Sequence, residues 1–226
     1  MKRAKRTKRT NKNYLAVLVF ALVLVFFVTA GTIAWLTRKS SISNTFTIGT
    51  FNSPTTDPTD SSITIDIDGN LYEPSWNKNV THKLVPSASF PKDPYVGIGA
   101  GSEDAVVYVK VDNNFSNKVY FTINNGWTPV SGQTTAGSAA DTYTSGIFKY
   151  TAGLQGNASS DSWTTTPLFS SIVTADNATV ADFTPVQQGA DTEIVVTSFL
   201  HQAKDASNND ILSATIEAAA IQALNN

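Results

Sequence analysis

The sequence predicts an antiparallel all-β sandwich behind a hydrophobic N-terminal segment, and three observations predict it. Apolar residues recur with period two in several short windows, the spacing that gives a strand one buried face. Ser and Thr make up about a quarter of the chain beyond residue 39, with many Asn and Asp. That composition favours turns and strands over helices. The chain also opens with a basic arm and an uninterrupted apolar run, the layout of an export signal.

The arm holds Lys2, Arg3, Lys5, Arg6, Lys8, Arg9 and Lys12, seven positive charges in 12 residues. No charged residue follows from Leu15 to Thr37. The stretch is long enough to span a hydrocarbon layer of about 30 Å, with the basic end kept in the cytoplasm. Two fates fit it. A signal peptidase cuts after the small-x-small site Thr32-Ile33-Ala34, or the segment stays as an anchor. Both place residues 35–226 outside the cytoplasmic membrane, and both make residues 1–34 a targeting segment that touches the Sec export machinery. The membrane is contacted through this N-terminal segment alone.

Beyond it, Thr45–Phe51 is the first strand candidate. Ser53–Ser62 carries two prolines among turn formers and is predicted to be a loop. Ile63, Ile65 and Ile67 alternate with Thr64, Asp66 and Asp68. Val107, Val109 and Val111 share one face of a further strand, opposite Val106, Tyr108, Lys110 and Asp112. Val119, Phe121 and Ile123 share a face of the next. Asn113-Asn-Phe-Ser-Asn117 has the length and residues of a hairpin connection between these two, so Val109 and Phe121 are expected on adjacent strands of one sheet. Gly126–Tyr143 and Thr151–Pro167 are expected to be surface excursions. Phe148–Tyr150, Leu168–Val173 and Glu193–Leu200 complete the strand candidates. The tail Ser213–Ala223 is ambiguous. Its alanines favour helix, its setting a closing strand, and strand is the favoured reading. Strands at this spacing fit one two-sheet domain over residues 35–226.

Charge and composition exclude several functions. The whole chain has a net charge of −2, yet residues 35–226 carry nine bases against 18 acids, or −9. Such a body repels phosphate backbones, so no nucleic-acid partner is expected. There is no cysteine, hence no disulfide scaffold, thiolate metal site or cysteine nucleophile. Two histidines, His82 and His201, cannot form a three-histidine zinc site. No Walker loop, dinucleotide fingerprint, HExxH or GxSxG motif occurs. No catalytic residue, cofactor or resident metal is expected. Asp66, Asp68 and Asn70 have the oxygen density of a weak Ca²⁺ site but lack a downstream bidentate Glu. Trp35, Trp76, Trp127 and Trp163 lie near loops, where they anchor loops onto the sandwich or form a sugar-stacking surface.

Several blocks resemble the SipW-dependent exported proteins of Gram-positive bacteria, the TasA-like and camelysin-like group. Ala30-Gly-Thr-Ile-Ala-Trp-Leu-Thr37, then Asn44-Thr-Phe-Thr-Ile-Gly49, resembles the group's signal end and first strand. Lys92-Asp-Pro-Tyr-Val96 and Asp104-Ala-Val-Val-Tyr-Val-Lys-Val111 are similar to its internal pair, and Ala220-Ile-Gln-Ala223 to its closing strand. Pro86-Ser-Ala-Ser-Phe90 replaces the Pro-Gly often found there, so the likeness is to the broad group rather than to one fibre protein. The resemblance implies a jelly-roll-like β-sandwich, secreted or held at the cell surface. It also implies relatives that build biofilm-matrix fibres by self-assembly, the mature N-terminal segment of one subunit completing the sheet of the next. Phe46, Ile48 and Phe51 would be the donor-strand residues. A secreted glycan- or Ca²⁺-binding module is the alternative function. A camelysin-like peptidase fits less well, since neither a nucleophile nor a metal constellation is visible.

Processing is directly testable. Mass spectrometry of the exported protein should find an N-terminus at Trp35; a full-length, membrane-retained product would instead make the segment an anchor.

Overall fold

Strand Ala105–Asn113 reads as an almost continuous apolar run, and such a run forms a strand that is covered on both faces. It is the central element of the structure, a computed structural model that describes residues 50–67, 69–76, 83–183, 193–205 and 207–226. The chain divides into two compact units, Met1–Phe46 and Thr47–Asn226, and all described residues belong to the second. In chain order its elements are β1 (Leu71–Tyr72), β2 (Ser89–Pro91), β3 (Tyr95–Ile98), β4 (Ala105–Asn113) and β5 (Val119–Tyr120). There follow β6 (Trp127–Ala136), β7 (Tyr143–Tyr150), β8 (Ser162–Trp163), β9 (Ser171–Thr174), β10 (Ile194–Gln202) and the helix α1 (Ser213–Leu224). All pairings are antiparallel. The largest sheet has the order β10-β4-β7-β6; two smaller ones have the orders β1-β3-β8 and β2-β9-β5. The expected all-β antiparallel class is what the described residues show, with one helix added.

The main core lies between the large sheet and the smaller ones. Val107, Val109 and Val111 of β4 and Phe148 and Tyr150 of β7 meet Val96 and Ile98 of β3, Val119 of β5 and Ile172 of β9. Phe121 sits at its aromatic centre, 4.4 Å from the ring of Phe169 and 5.6 Å edge-on to Phe148. The opposite face of the large sheet is also closed. Tyr108, Val130 and Ile147 are covered by Ile216, Ala220 and Leu224 of α1.

Four expectations need correction. The C-terminal segment, expected as a closing strand that included Ala220-Ile-Gln-Ala223, is helix α1. Ile216, Ala220 and Leu224 recur every four residues and so share one helix face. The alanines between them favour helix, and the second face of β4 supplies the surface to bury them against. The connection Asn113–Asn117 is an arch between sheets, so Val109 and Phe121 are both buried but not on adjacent strands: β4 pairs with β7 and β10 and β5 with β9, while Phe121, just past β5, bridges to Tyr143 at the start of β7. Phe115 drives this by burying its ring in the core. The side chain of Asn113 donates to the carbonyl of Val119, and its oxygen accepts from the amide of Phe115. Gly126–Tyr143, expected as an excursion, is mostly β6 and the start of β7, held by the buried Trp127 and Val130. Ile63–Ile67 is not a strand. Thr64 makes a single bridge to Thr56, because the partner stretch is bounded by Pro54 and Pro58, which lack N–H donors. Of its isoleucines, Ile65 is buried and Ile63 exposed.

Core placement sets an expected outcome. Phe121→Ala should lower stability in chemical denaturation by about 3–5 kcal/mol, through lost burial and a residual cavity. Thr122→Ala, at an exposed neighbour, should change it by well under 1 kcal/mol. Equal losses would contradict the placement of Phe121 at the aromatic centre.

Candidate functional site

A terminal strand leaves a row of backbone N–H and C=O groups without ladder partners, and proteins usually blunt such edges. The two edges of the large sheet differ in this respect. β6 contains Pro129, which cannot donate. Its register slips twice against β7, between Pro129 and Thr134 and between Thr135 and Ala136. Gly132 supports the first irregularity at φ 72°, in the left-handed region that costs a side-chain-bearing residue energy. β10 has none of these devices. It pairs with β4 in unbroken register from Ile194↔Asn113 to Gln202↔Ala105, and carries no proline, glycine, lysine or acid. Among the described residues no strand lies on its outer side. Val195 is 38% exposed, while Ile194, Val196 and Leu200 pack on the main core.

The segment entering this unit is fastened at one point. The Asp161 carboxylate accepts from the amides of Thr55 (2.6 Å), Thr56 (2.8 Å) and Ala100 (3.1 Å) and from the Thr56 hydroxyl (2.8 Å). Asn52 extends the clasp. Its amide donates to Ser102 Oγ, its side chain to the carbonyl of Ala100, and its carbonyl accepts from Gly99. Burial works to raise the Asp161 pKa, but the donors from Thr55, Thr56 and Ala100 outweigh it and hold the carboxyl below its ordinary value.

Phe51 packs against the main core of its own chain. Phe46 and Ile48 lie outside the described residues, as do Thr32, Ala34, Trp35, Asp68 and His82. Asp66 is exposed, and Asn70 donates its side-chain amide to the carbonyls of Asn52 and Gly97. Among the described residues no group of three His, Asp or Glu is placed to hold a metal, and no helix is long and apolar enough to cross a membrane. His201 lies on β10, its Nδ1 2.8 Å from the carbonyl oxygen of Gln202. Trp127 is buried and donates to the carbonyl of Thr166.

Trp163 belongs to a feature that composition did not reveal. On β3, Val96 and Ile98 face the core, so Tyr95 and Gly97 face outward. Tyr72 pairs with Tyr95, and Trp163 with Gly97. The indole of Trp163 lies where a Cβ on Gly97 would stand, and its Nε1 donates to the carbonyl of Thr56. Tyr72 and Trp163 have ring centroids 6.3 Å apart. Burial first, then the nearby acid Asp57, raises the pKa of the Tyr72 phenol. Alongside, the Lys92 ammonium lies 4.7 Å above the Trp76 ring and 2.8 Å from Glu73 Oε1.

Comparison with known proteins finds no matching family model, no similar curated protein and no similar solved structure.

The clasp yields a pH dependence with a definite sign. A carboxylate held below its ordinary pKa stabilises the fold fully above the unfolded value of about 3.9, and loses that contribution as pH falls through the folded value. Asp161→Asn should therefore cost about 1–3 kcal/mol at pH 7. Its melting curve should converge on that of the unsubstituted chain towards pH 2, and a gap constant from pH 7 to pH 2 would contradict an ionised clasp.

Proposed function

We propose that this is an exported structural protein of a Gram-positive cell surface, of the SipW-dependent, TasA-like kind, whose copies associate by strand addition at β10. The observation that carries this reading is the contrast between the two edges of the large sheet. β6 is blunted by proline, a glycine-supported irregularity and register slips, whereas β10 offers nine residues in regular register with no proline, glycine, lysine or acid among them. An added strand would gain main-chain hydrogen bonds along that row and insert alternate side chains beside it. The sequence supplies a candidate, since Phe46 and Ile48 are two residues apart and so point to one face of an extended segment. Export supports the same reading, because the seven-charge arm and the apolar run of residues 15–37 deliver the acidic body outside the membrane.

On this reading the fold is a jelly-roll-like sandwich and residues 1–34 are a targeting segment, a basic arm followed by an apolar run. The mature chain is a biofilm-matrix or pilus-like fibre subunit, and its function is assembly rather than catalysis. The partners are the Sec machinery, a signal peptidase and further copies of the chain.

Sedimentation of the mature form tests it. The intact chain should lengthen with time and concentration. A form lacking Trp35–Ile48 but keeping Phe51 should stay a folded monomer, and so should one with Val195→Lys and Thr197→Lys, which blunt the edge as natural edge strands are blunted. Growth of either variant at the rate of the intact chain would overturn strand addition, and loss of β signal on truncation would make the segment the domain's own first strand.

A further inference from the structure

Outward-facing rings on adjacent strands form a row, because neighbouring strands lie about 4.8 Å apart. Here the row runs from Tyr72 on β1 to Tyr95 on β3 and Trp163 on β8. All three are half-buried rather than enclosed. Gly97 gives the row its floor. Three atoms of the Trp163 six-membered ring lie almost equally close to where its Cβ would be, so one face of that ring rests on the β3 backbone and the other turns away from the sheet. The hydrogen bond from Nε1 to Thr56 fixes the ring in that plane.

Among the described residues the charge beside the row is mainly acidic. Burial, then Asp57 and Asp93, raises the pKa of both Tyr72 and Tyr95; Asp57 is itself buried and accepts from Thr59 and Asp60, whereas Asp93 is half-buried. Glu73 follows β1 directly. The one base in this group, Lys92, is buried and already neutralised by Glu73. Lys92 also shows what the constellation accepts: an ammonium seated over the Trp76 ring with a carboxylate as its counter-ion.

We propose that the face formed by Tyr72, Tyr95 and Trp163, with Asp93 beside it, binds a linear amino-sugar glycan bearing protonated amines. The apolar C–H face of a pyranose stacks on an outward-turned ring. Its ammonium is drawn to the ring faces and to the Asp93 carboxylate, and its hydroxyls donate to the same group. Acidic polymers are repelled by the −9 body. A basic peptide satisfies the charge but offers the outward face of Trp163 no pyranose C–H face to stack on it.

Calorimetry and tryptophan fluorescence on the full chain in mild detergent at pH 6 test this, using a glucosamine hexamer, an N-acetylglucosamine hexamer, hexalysine and polygalacturonate. The glucosamine hexamer should bind tightest, perturb the tryptophan emission and weaken as salt rises. Asp93→Asn should weaken it about fivefold and Tyr95→Ala by more, with melting followed by circular dichroism to show that each variant is folded. Thr128→Ala, at an exposed position on β6, should leave binding unchanged. Equal affinity for the N-acetylated hexamer would overturn the role of Asp93. Hexalysine binding as tightly as the glucosamine hexamer would overturn the glycan assignment, and no binding of either sugar would overturn the site.

Discussion

Strand β4 has to bury both of its faces, and most of the architecture answers that constraint. Val107, Val109 and Val111 fill the main core, and with period two that leaves Val106, Tyr108 and Lys110 facing the other way. A tyrosine there cannot be left wet without exposing a large apolar ring. Helix α1 covers it, and Ile147 and Val130 on the neighbouring strands complete the second layer. The burial has a polar cost. The Tyr108 hydroxyl lies buried without a hydrogen-bond partner, and burial, with Glu217 of α1 nearby, pushes its pKa up to about 12. The ammonium of Lys149 lies 5.8 Å from the same ring, where the ring's negative face offsets part of that cost.

A sheet covered on both faces can still be open at its ends. Packing regulates what touches the faces, whereas only the edge residues regulate what pairs beside them. The chain spends its edge-protecting residues unevenly, with Pro129, Gly132 and two register slips on β6 and none on β10. The outer layer strengthens the contrast, because α1 packs chiefly over β10 and β4. Helix α1 thus holds the regular edge straight while leaving its outer side clear among the described residues.

What was legible in the sequence followed from local pattern. The alternating valines of β4, the run Glu193–Leu200 and the class of the fold needed nothing beyond period two. The failures share a cause, which is that a distant partner decided between two locally equal options. Asn113–Asn117 suits a hairpin in length and composition, and the burial of Phe115 makes it an arch. The alanines of Ser213–Leu224 suit a helix or a bland strand until the second face of β4 demands a cover. β6 escaped notice because its two buried residues, Trp127 and Val130, are three apart, and its proline and glycine, which serve an edge, look like loop residues. Of the candidate sites, the clasp was illegible because Asp161 and Thr55 are 106 positions apart. The aromatic row was equally hidden, since β1, β3 and β8 contribute one ring each and only the pairing register lines them up.

The clasp also defines what the upstream segment is able to do. Asn52, Thr55 and Thr56 are tied to Ala100, Ser102 and Asp161, so the chain leaves the unit from a fixed point at Phe51. Sixteen residues separate Trp35 from that point, counting from 35 to 50, and fully extended they span at most about 53–58 Å. That reach exceeds the expected diameter of a domain of this size, about 41 Å for a compact sphere whose radius of gyration is near 16 Å. A segment tied at Phe51 is therefore long enough to lie along an edge of its own unit or of a neighbour. Geometry permits both, and the difference is energetic. Pairing in cis closes one small loop at little entropic cost, while pairing in trans costs association entropy once per subunit and regains it through each added strand. Under the strand addition proposed above, concentration decides which of the two pairings dominates: cis pairing is favoured in dilute solution and trans pairing where copies are crowded.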